Sequence, residues 1–201
     1  MKGEKMAVAQ SEKIYQELNR FQNVTAEPLY STKRYMAPMP LEVSFFPGGT
    51  DKTKTNVVKA REIPRGHLTV IEEIRVSFSG GDWITAPDAP VLMRNFLTHA
   101  VLKFAPNEDA RPRYFPLYML GAGGGVTGFF QQAAPATENL ATLGNPQHNA
   151  VFKLRKPEVI RGIIPFVCSI VHQVAFDPPE WADVMIVLAG YYAYPAARAA
   201  E

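Results

Sequence analysis

Cysteine is almost absent: Cys168 is the single one in 201 residues. An intrachain disulfide is therefore excluded, and no disulfide framework holds this fold. Cys168 sits inside an apolar, strand-like run, the usual setting of a buried thiol that behaves as a small hydrophobe. Long hydrophobic runs are also missing. No stretch reaches the roughly 20 apolar residues of a membrane span, and the best candidate is interrupted by Arg161 and His172. The opening residues, MKGEKMAVAQSEK, contain no apolar run long enough for a signal peptide, so synthesis in the cytoplasm is expected. Charge of one sign is scarce too. The formal net charge is +2, too little for a dedicated nucleic-acid binder. Residues 1–60 carry net +3 and residues 61–201 net −1. The mildly basic amino-terminal segment offers at most a weak nucleic-acid contact, and the plainer expectation is a solvated or partner-paired arm.

Catalytic signatures are missing as well. Gly123, Gly125 and Gly128 match G-x-G-x-x-G after an expected strand. A dinucleotide site also needs a helix directly after the glycines and an acidic residue about 20 positions on. Here Pro135 ends any helix within two turns, and His148-Asn149-Ala150 stands where the acid belongs. A surface loop is the expectation. His67, His99, His148 and His172 are spread over more than a hundred residues with no H-x-H or H-E-x-x-H spacing, so no metal site is expected. Glu72 and Glu73 are strand neighbours, which should point to opposite faces and so not form a facing acid/base pair. Glu108 and Asp109 fall in a turn-rich loop. Asn23-Val24-Thr25 matches a glycosylation acceptor, without force in the absence of a signal peptide. Trp83, Trp181, Tyr191, Tyr192 and Tyr194 can build a sugar platform, although core or interface packing is the commoner use of such rings. No enzyme, cofactor or metal is expected.

What is present is a globular composition, 47% hydrophobic and 20% charged, with 17 prolines and 14 glycines scattered along the chain. That texture predicts many short elements separated by turns. Residues 6–21 form the best helix candidate, with Ile14, Leu18 and Phe21 at i, i+4 and i+7. A lone helix of that length is marginal in water and needs a surface to lie on. Residues 22–60 are broken by Pro28, Pro38, Pro40 and Pro47 and read as an extended arm with one strand around Leu41, Val43 and Phe45. Extended, such a segment reaches on the order of 100 Å.

The compact domain is expected from Val57. His67–Phe78 is a strong strand in which Glu72 interrupts the even-numbered apolar series, the mark of a bulge or of a strand crossing to new surroundings. Residues 88–105 predict a short helical or irregular entry, then a strand from about Leu97 to Phe104. Tyr114–Leu120 is a strand with Pro116 at an edge or bulge. Residues 121–148 are a long surface excursion, and Ala150–Leu154 is a short strand. Last come two apolar runs around a turn at Asp177, Pro178 and Pro179. Both carry apolar groups on both faces, as strands covered on both sides do.

These closing runs, IIPFVCSIVHQVAF and VMIVLAGYYAYPA with Leu188, Gly190 and Tyr191, are what the chain shares with a known class. It resembles bacteriophage virion proteins built on a jelly roll or β-sandwich, and its amino-terminal arm is similar to arms that lace capsid subunits together. The resemblance implies an all-β fold, a jelly roll or β-sandwich over residues 57–201, with a helix and extended arm over residues 1–56. It implies a structural component of a virus particle, made in the host cytoplasm, whose partners are copies of itself and other virion proteins. A carbohydrate- or receptor-binding β-sandwich of spike type is the alternative, using the 121–148 excursion and its aromatics. A cupin-like enzyme is a third.

Overall fold

The computed structural model describes residues 12–21, 23–81, 89–121, 127–129, 140–142, 151–173 and 181–195. Eleven strands and two helices are described. The helices are α1 (residues 12–18) and α2 (Ala89–Thr98). The strands are β1 (Asn23–Thr25), β2 (Leu29–Tyr35), β3 (Glu42–Ser44), β4 (Leu68–Gly81), β5 (Ala100–Ala105), β6 (Arg113–Pro116), β7 (Thr127–Phe129), β8 (Leu140–Thr142), β9 (Phe152–Arg161), β10 (Val167–His172) and β11 (Ala182–Tyr194).

Two antiparallel sheets carry the fold. One runs β1-β11-β4-β9, with β2 continuing the edge along β11 beyond β1. The other runs β3-β10-β5-β6. The strand pairs nest: β2 with β11, β3 with β10, β4 with β9 and β5 with β6. Between the sheets lies the main core. Val184, Ile186 and Leu188 of β11 and Ile71, Ile74 and Val76 of β4 share it with Leu102 and Phe104 of β5 and Ile170 of β10. The expected all-β class therefore holds.

Four expectations are corrected. Residues 23–56 are not an arm: β2 and β3 are strands of the two sheets, and Tyr35, Phe45 and Phe46 are fully buried. β2 reads poorly in sequence because Ser31 and Lys33 break its apolar alternation. Ser31 is nevertheless buried, its Oγ accepting the Phe46 N–H at 2.9 Å. Second, the two closing runs do not pair with each other. β10 and β11 lie in different sheets. The Asp177–Pro179 turn lies outside the described residues. Third, the strand expected over Tyr114–Leu120 ends at Pro116 and gives way to a 3-10 turn, Leu117–Met119; β6 is an edge strand, as its proline requires. Fourth, the short strand at Ala150–Leu154 is instead the ten-residue β9, which includes Pro157.

The bulge expected at Glu72 is there. Ile71 pairs with Gly190 and Glu73 with Ala189, leaving Glu72 without a register partner on β11. Across β9 the register jumps from Glu158 to Lys153 at the same point, which is where Pro157 is accommodated. The extra residue reverses which parity faces the core. Leu68 and Val70 pack in a separate cluster with α1, whereas Ile74 and Val76 face the main core. Residues 89–105 divide into a helix and a strand, and the strand starts at Ala100 rather than near Leu97 because the helix runs through Thr98. Within the long excursion β7 and β8 pair with each other, and Gly128 sits in β7 opposite Ala141. Gly123 and Gly125 lie outside the described residues. Gly128, the described end of that glycine pattern, therefore lies within a strand.

Candidate interaction surfaces

The apolar stripe of α1 finds its surface on the outer face of the first sheet. Leu18 is buried there with Leu68, Val70 and Ala193, flanked by Ile14, Phe21 and Val159. Two polar contacts tie the helix down at the sides. Glu17 forms a two-pronged ion pair with Arg161 on β9, which holds its carboxyl below the usual carboxylate range. The Tyr15 hydroxyl donates to Glu72 on the bulge, and burial together with that bond pushes its pKa up to about 12. Glu72 and Glu73 both border the same shallow hollow of about 310 Å³ beside Tyr15, contrary to the expectation that they diverge. The bulge removes the simple alternation on which that expectation rests. Glu73 is held by Arg75 at 2.5 Å and Lys153 at 3.8 Å, so both carboxylates serve structure.

At the end of the sandwich where β4 begins, a cleft of about 520 Å³ opens between residues 56–65, Ile163 and the Tyr192 ring. Asn56 anchors one wall: its Oδ1 accepts the Tyr30 N–H at 3.0 Å and its Nδ2 donates to the Pro28 carbonyl at 2.7 Å. Opposite, the Ile163 N–H donates to the Ile63 carbonyl at 3.0 Å. Behind the cleft, His67 Nδ1 and the Tyr192 hydroxyl are 2.7 Å apart. Burial holds His67 below its ordinary pKa.

A more polar groove of about 720 Å³ lies along the edge of β2, between Lys33 and Arg34 and the loop through Gly48, Asp51 and Lys54. Four of its five charges are paired internally. Arg34 bonds Asp183 through Nε at 3.0 Å and Nη2 at 3.2 Å, and Lys54 lies 3.7 Å from Asp51. Arg34 also stacks over the Trp181 ring at 4.0 Å, so one face of that indole is already covered.

Among the described residues His99 adjoins the His172 end of β10, and His67 stands apart from both. His67 lies at the cleft end of the sandwich, and His172 closes β10 in the core, between the rings of Tyr35 and Phe96 at 5.8 and 5.4 Å. His148 lies outside the described residues. Among the described residues no three His, Cys, Asp or Glu side chains gather as a cation would require. No described helix is long and apolar enough to cross a membrane. Cys168 is buried, and burial pushes its thiol pKa well up. Trp83 is outside the described residues, Tyr191 is partly exposed, and Tyr192 and Tyr194 flank His67. The five aromatics therefore do not present one open platform among the described residues. Glu108 reaches Arg61 at 3.6 Å on the surface.

Burial depresses the pKa of His172 below its ordinary 6.5. Below 6.5 the unfolded chain takes up a proton that the folded chain resists. The stability linked to this group is complete above 6.5 and is lost as pH falls through the depressed folded value. Urea midpoints measured between pH 7.5 and 5 are expected to fall, and to fall less steeply in His172→Phe. Equal slopes in the two proteins would assign the acid sensitivity to other groups.

Sequence reasoning missed the cleft, because its walls come from four separated segments and none carries a local signal. Gly162-Ile163-Ile164 reads only as the start of an apolar run. No protein-family model, no curated protein and no solved structure matches the chain.

Proposed function

We propose that the chain is a structural component of a virus particle, a bacteriophage shell subunit or a protein attached to the shell or vertex, and that its domain is a jelly roll. The observation that carries this reading is the nested pairing. Set aside β1 and the small β7–β8 pair, and eight strands remain. The first pairs with the eighth, the second with the seventh, the third with the sixth and the fourth with the fifth. A long hairpin wound up in this way gives two four-stranded sheets with both Greek keys of a jelly roll. That architecture serves viral shells, lectins and cupins, so the surface has to choose among them.

Two surface features favour assembly. Large apolar side chains stand exposed, with Tyr118 at 63%, Tyr114 at 58% and Val91 at 48% of full exposure. Such rings are enriched where proteins meet. The helix α1 is a small element attached to the outer face of a sheet, a natural contact for neighbouring copies. On this reading the arm is the segment before β1, and weak contact with nucleic acid belongs there. Partners are copies of this chain and other virion proteins, and the protein resides in the particle after synthesis in the host cytoplasm.

The test is the native mass of the full-length protein by light scattering after size exclusion, with negative-stain images of any large peak. Rings, trimers or closed particles are expected. A monomer at every concentration, with or without other particle proteins, would overturn the reading. Glycan binding lost on Tyr191→Ala would move the protein to the spike class.

A further inference from the structure

The cleft at the β4 end has the properties of a ligand site, and none of them is required by a shell subunit. Its volume of about 520 Å³ lies in the range of small-molecule pockets. Its surface is largely apolar, from Leu29, Val57, Ile63, Ile163 and Tyr192. Two of its polar side chains, Asn56 and Tyr192, are already engaged. Both ends of the Asn56 amide bond backbone, and the Tyr192 hydroxyl is held by His67. These bonds also fix the walls, so the cleft is formed before anything enters it.

The approach of the two walls is built in. A Cβ at Gly162 would lie 2.1 Å from the Pro64 carbonyl oxygen, so only glycine lets residues 162–163 come this close to residues 63–66. The next residue, Ile163, is held at φ 63°, a left-handed conformation that is rare for a β-branched side chain. Its side chain is 55% exposed, and Val58 across the opening is 62% exposed. Internal packing therefore does not account for the strain. Backbone strain of this kind collects at ligand clamps.

The rim defines the ligand's charge. Glu27 and Glu62 stand against Lys59 and Arg65, and Lys59 and Glu62 pair at 3.7 Å. The rim is neutral in sum and selects neither anions nor cations. We propose that this cleft binds an uncharged, predominantly apolar small molecule, gripped between Val58 and Ile163 over a floor of Leu29, Val57 and Ile63.

The test uses the full-length protein and the neutral fluorescent probe N-phenyl-1-naphthylamine. One saturable site per chain is expected, with amide chemical-shift changes confined to residues 56–65, Ile163 and Tyr192. Val58→Asp and Ile163→Gly are each expected to weaken binding about tenfold, the effect of losing one apolar side chain's burial. Both positions are exposed, and glycine relieves the strained φ. The Ile163→Gly protein should therefore melt no lower than the parent while binding less, a combination that a purely structural role for Ile163 would not produce. Absence of saturation would overturn the proposal, as would affinity unchanged in both variants. So would an apparent affinity that depends on protein concentration and disappears on Val58→Asp together with self-association, which would make the cleft an interface between copies. The native-mass experiment is separate, so failure here leaves the virion reading standing.

Discussion

A chain that begins at Val57 is expected not to fold, whereas a chain that begins at Asn23 is expected to fold. The first truncation removes β2 and β3 and exposes the edges of β11 and β10, two of the most apolar strands in the protein. It also removes Tyr35, Phe45 and Phe46, all fully buried. Burial of rings of that size contributes roughly 2–3 kcal/mol each, so these three alone account for about 6–9 kcal/mol. Domains of this kind have a total net stability of about 5–15 kcal/mol. The second truncation removes only α1 and its surroundings. It uncovers Leu68, Val70 and Ala193 and costs about 2–4 kcal/mol of apolar burial. Circular dichroism with urea should show a cooperative transition for the chain starting at Asn23 and none for the chain starting at Val57. Cooperative unfolding of the shorter chain would mean that the sandwich closes without its first two strands, against the pairing described above.

The second large effect is expected at Gly190. It lies opposite the Glu72 bulge with φ 157°, and a Cβ there would stand 1.9 Å from the Val70 carbonyl oxygen and 3.1 Å from the Glu72 nitrogen. Both are backbone atoms inside the ladder, so no side chain can move aside. Gly190→Ala must either straighten the bulge or part β4 from β11. Straightening would turn Leu68 and Val70 away from α1 or Ile74 and Val76 out of the core, since the bulge reverses the parity between them. A loss of about 3 kcal/mol or more is expected, with Tm lower by about 6–12 °C for a chain of this length. Gly121→Ala is the control: a Cβ there meets nothing within 4 Å, and Tm should hardly change. Hydrogen exchange adds a second readout, because amides of residues 12–18 should lose protection in Gly190→Ala and not in Gly121→Ala. Equal melting of the two variants would contradict the tight approach at the bulge.

The bulge is also where the local reading of the chain succeeds best. Glu72 interrupts an apolar series of constant parity, and a strand long enough to serve two surfaces has to change parity somewhere. The stripe of Ile14, Leu18 and Phe21 and the division of residues 88–105 into helix and strand are legible for the same reason. Each is a periodicity contained within a dozen residues.

The arm assignment fails for the opposite reason. β2 carries Ser31 and Lys33 at inward parity, and Ser31 becomes acceptable in the interior only because the Phe46 N–H reaches its hydroxyl. β9 contains Pro157 and a run of Lys and Arg. It is a strand because it lies at a sheet edge with a register jump that absorbs the proline. The cleft was invisible because Leu29, Val57, Ile163 and Tyr192 meet only once both sheets have closed.

Legible in the chain alone are the all-β class, the helix stripe, the break at Glu72 and the burial of Cys168. These follow from local alternation, turn chemistry and composition. Strand pairing, by contrast, is set only by the closed fold. β10 and β11 adjoin in sequence and part to opposite sheets, while β2 and β11 stand more than 140 residues apart and share a ladder. The strand pattern says which faces must be buried, and many partners satisfy that demand equally. The choice among them depends on simultaneous closure of both sheets around Phe45, Phe46 and Phe166, a packing condition that no single segment carries.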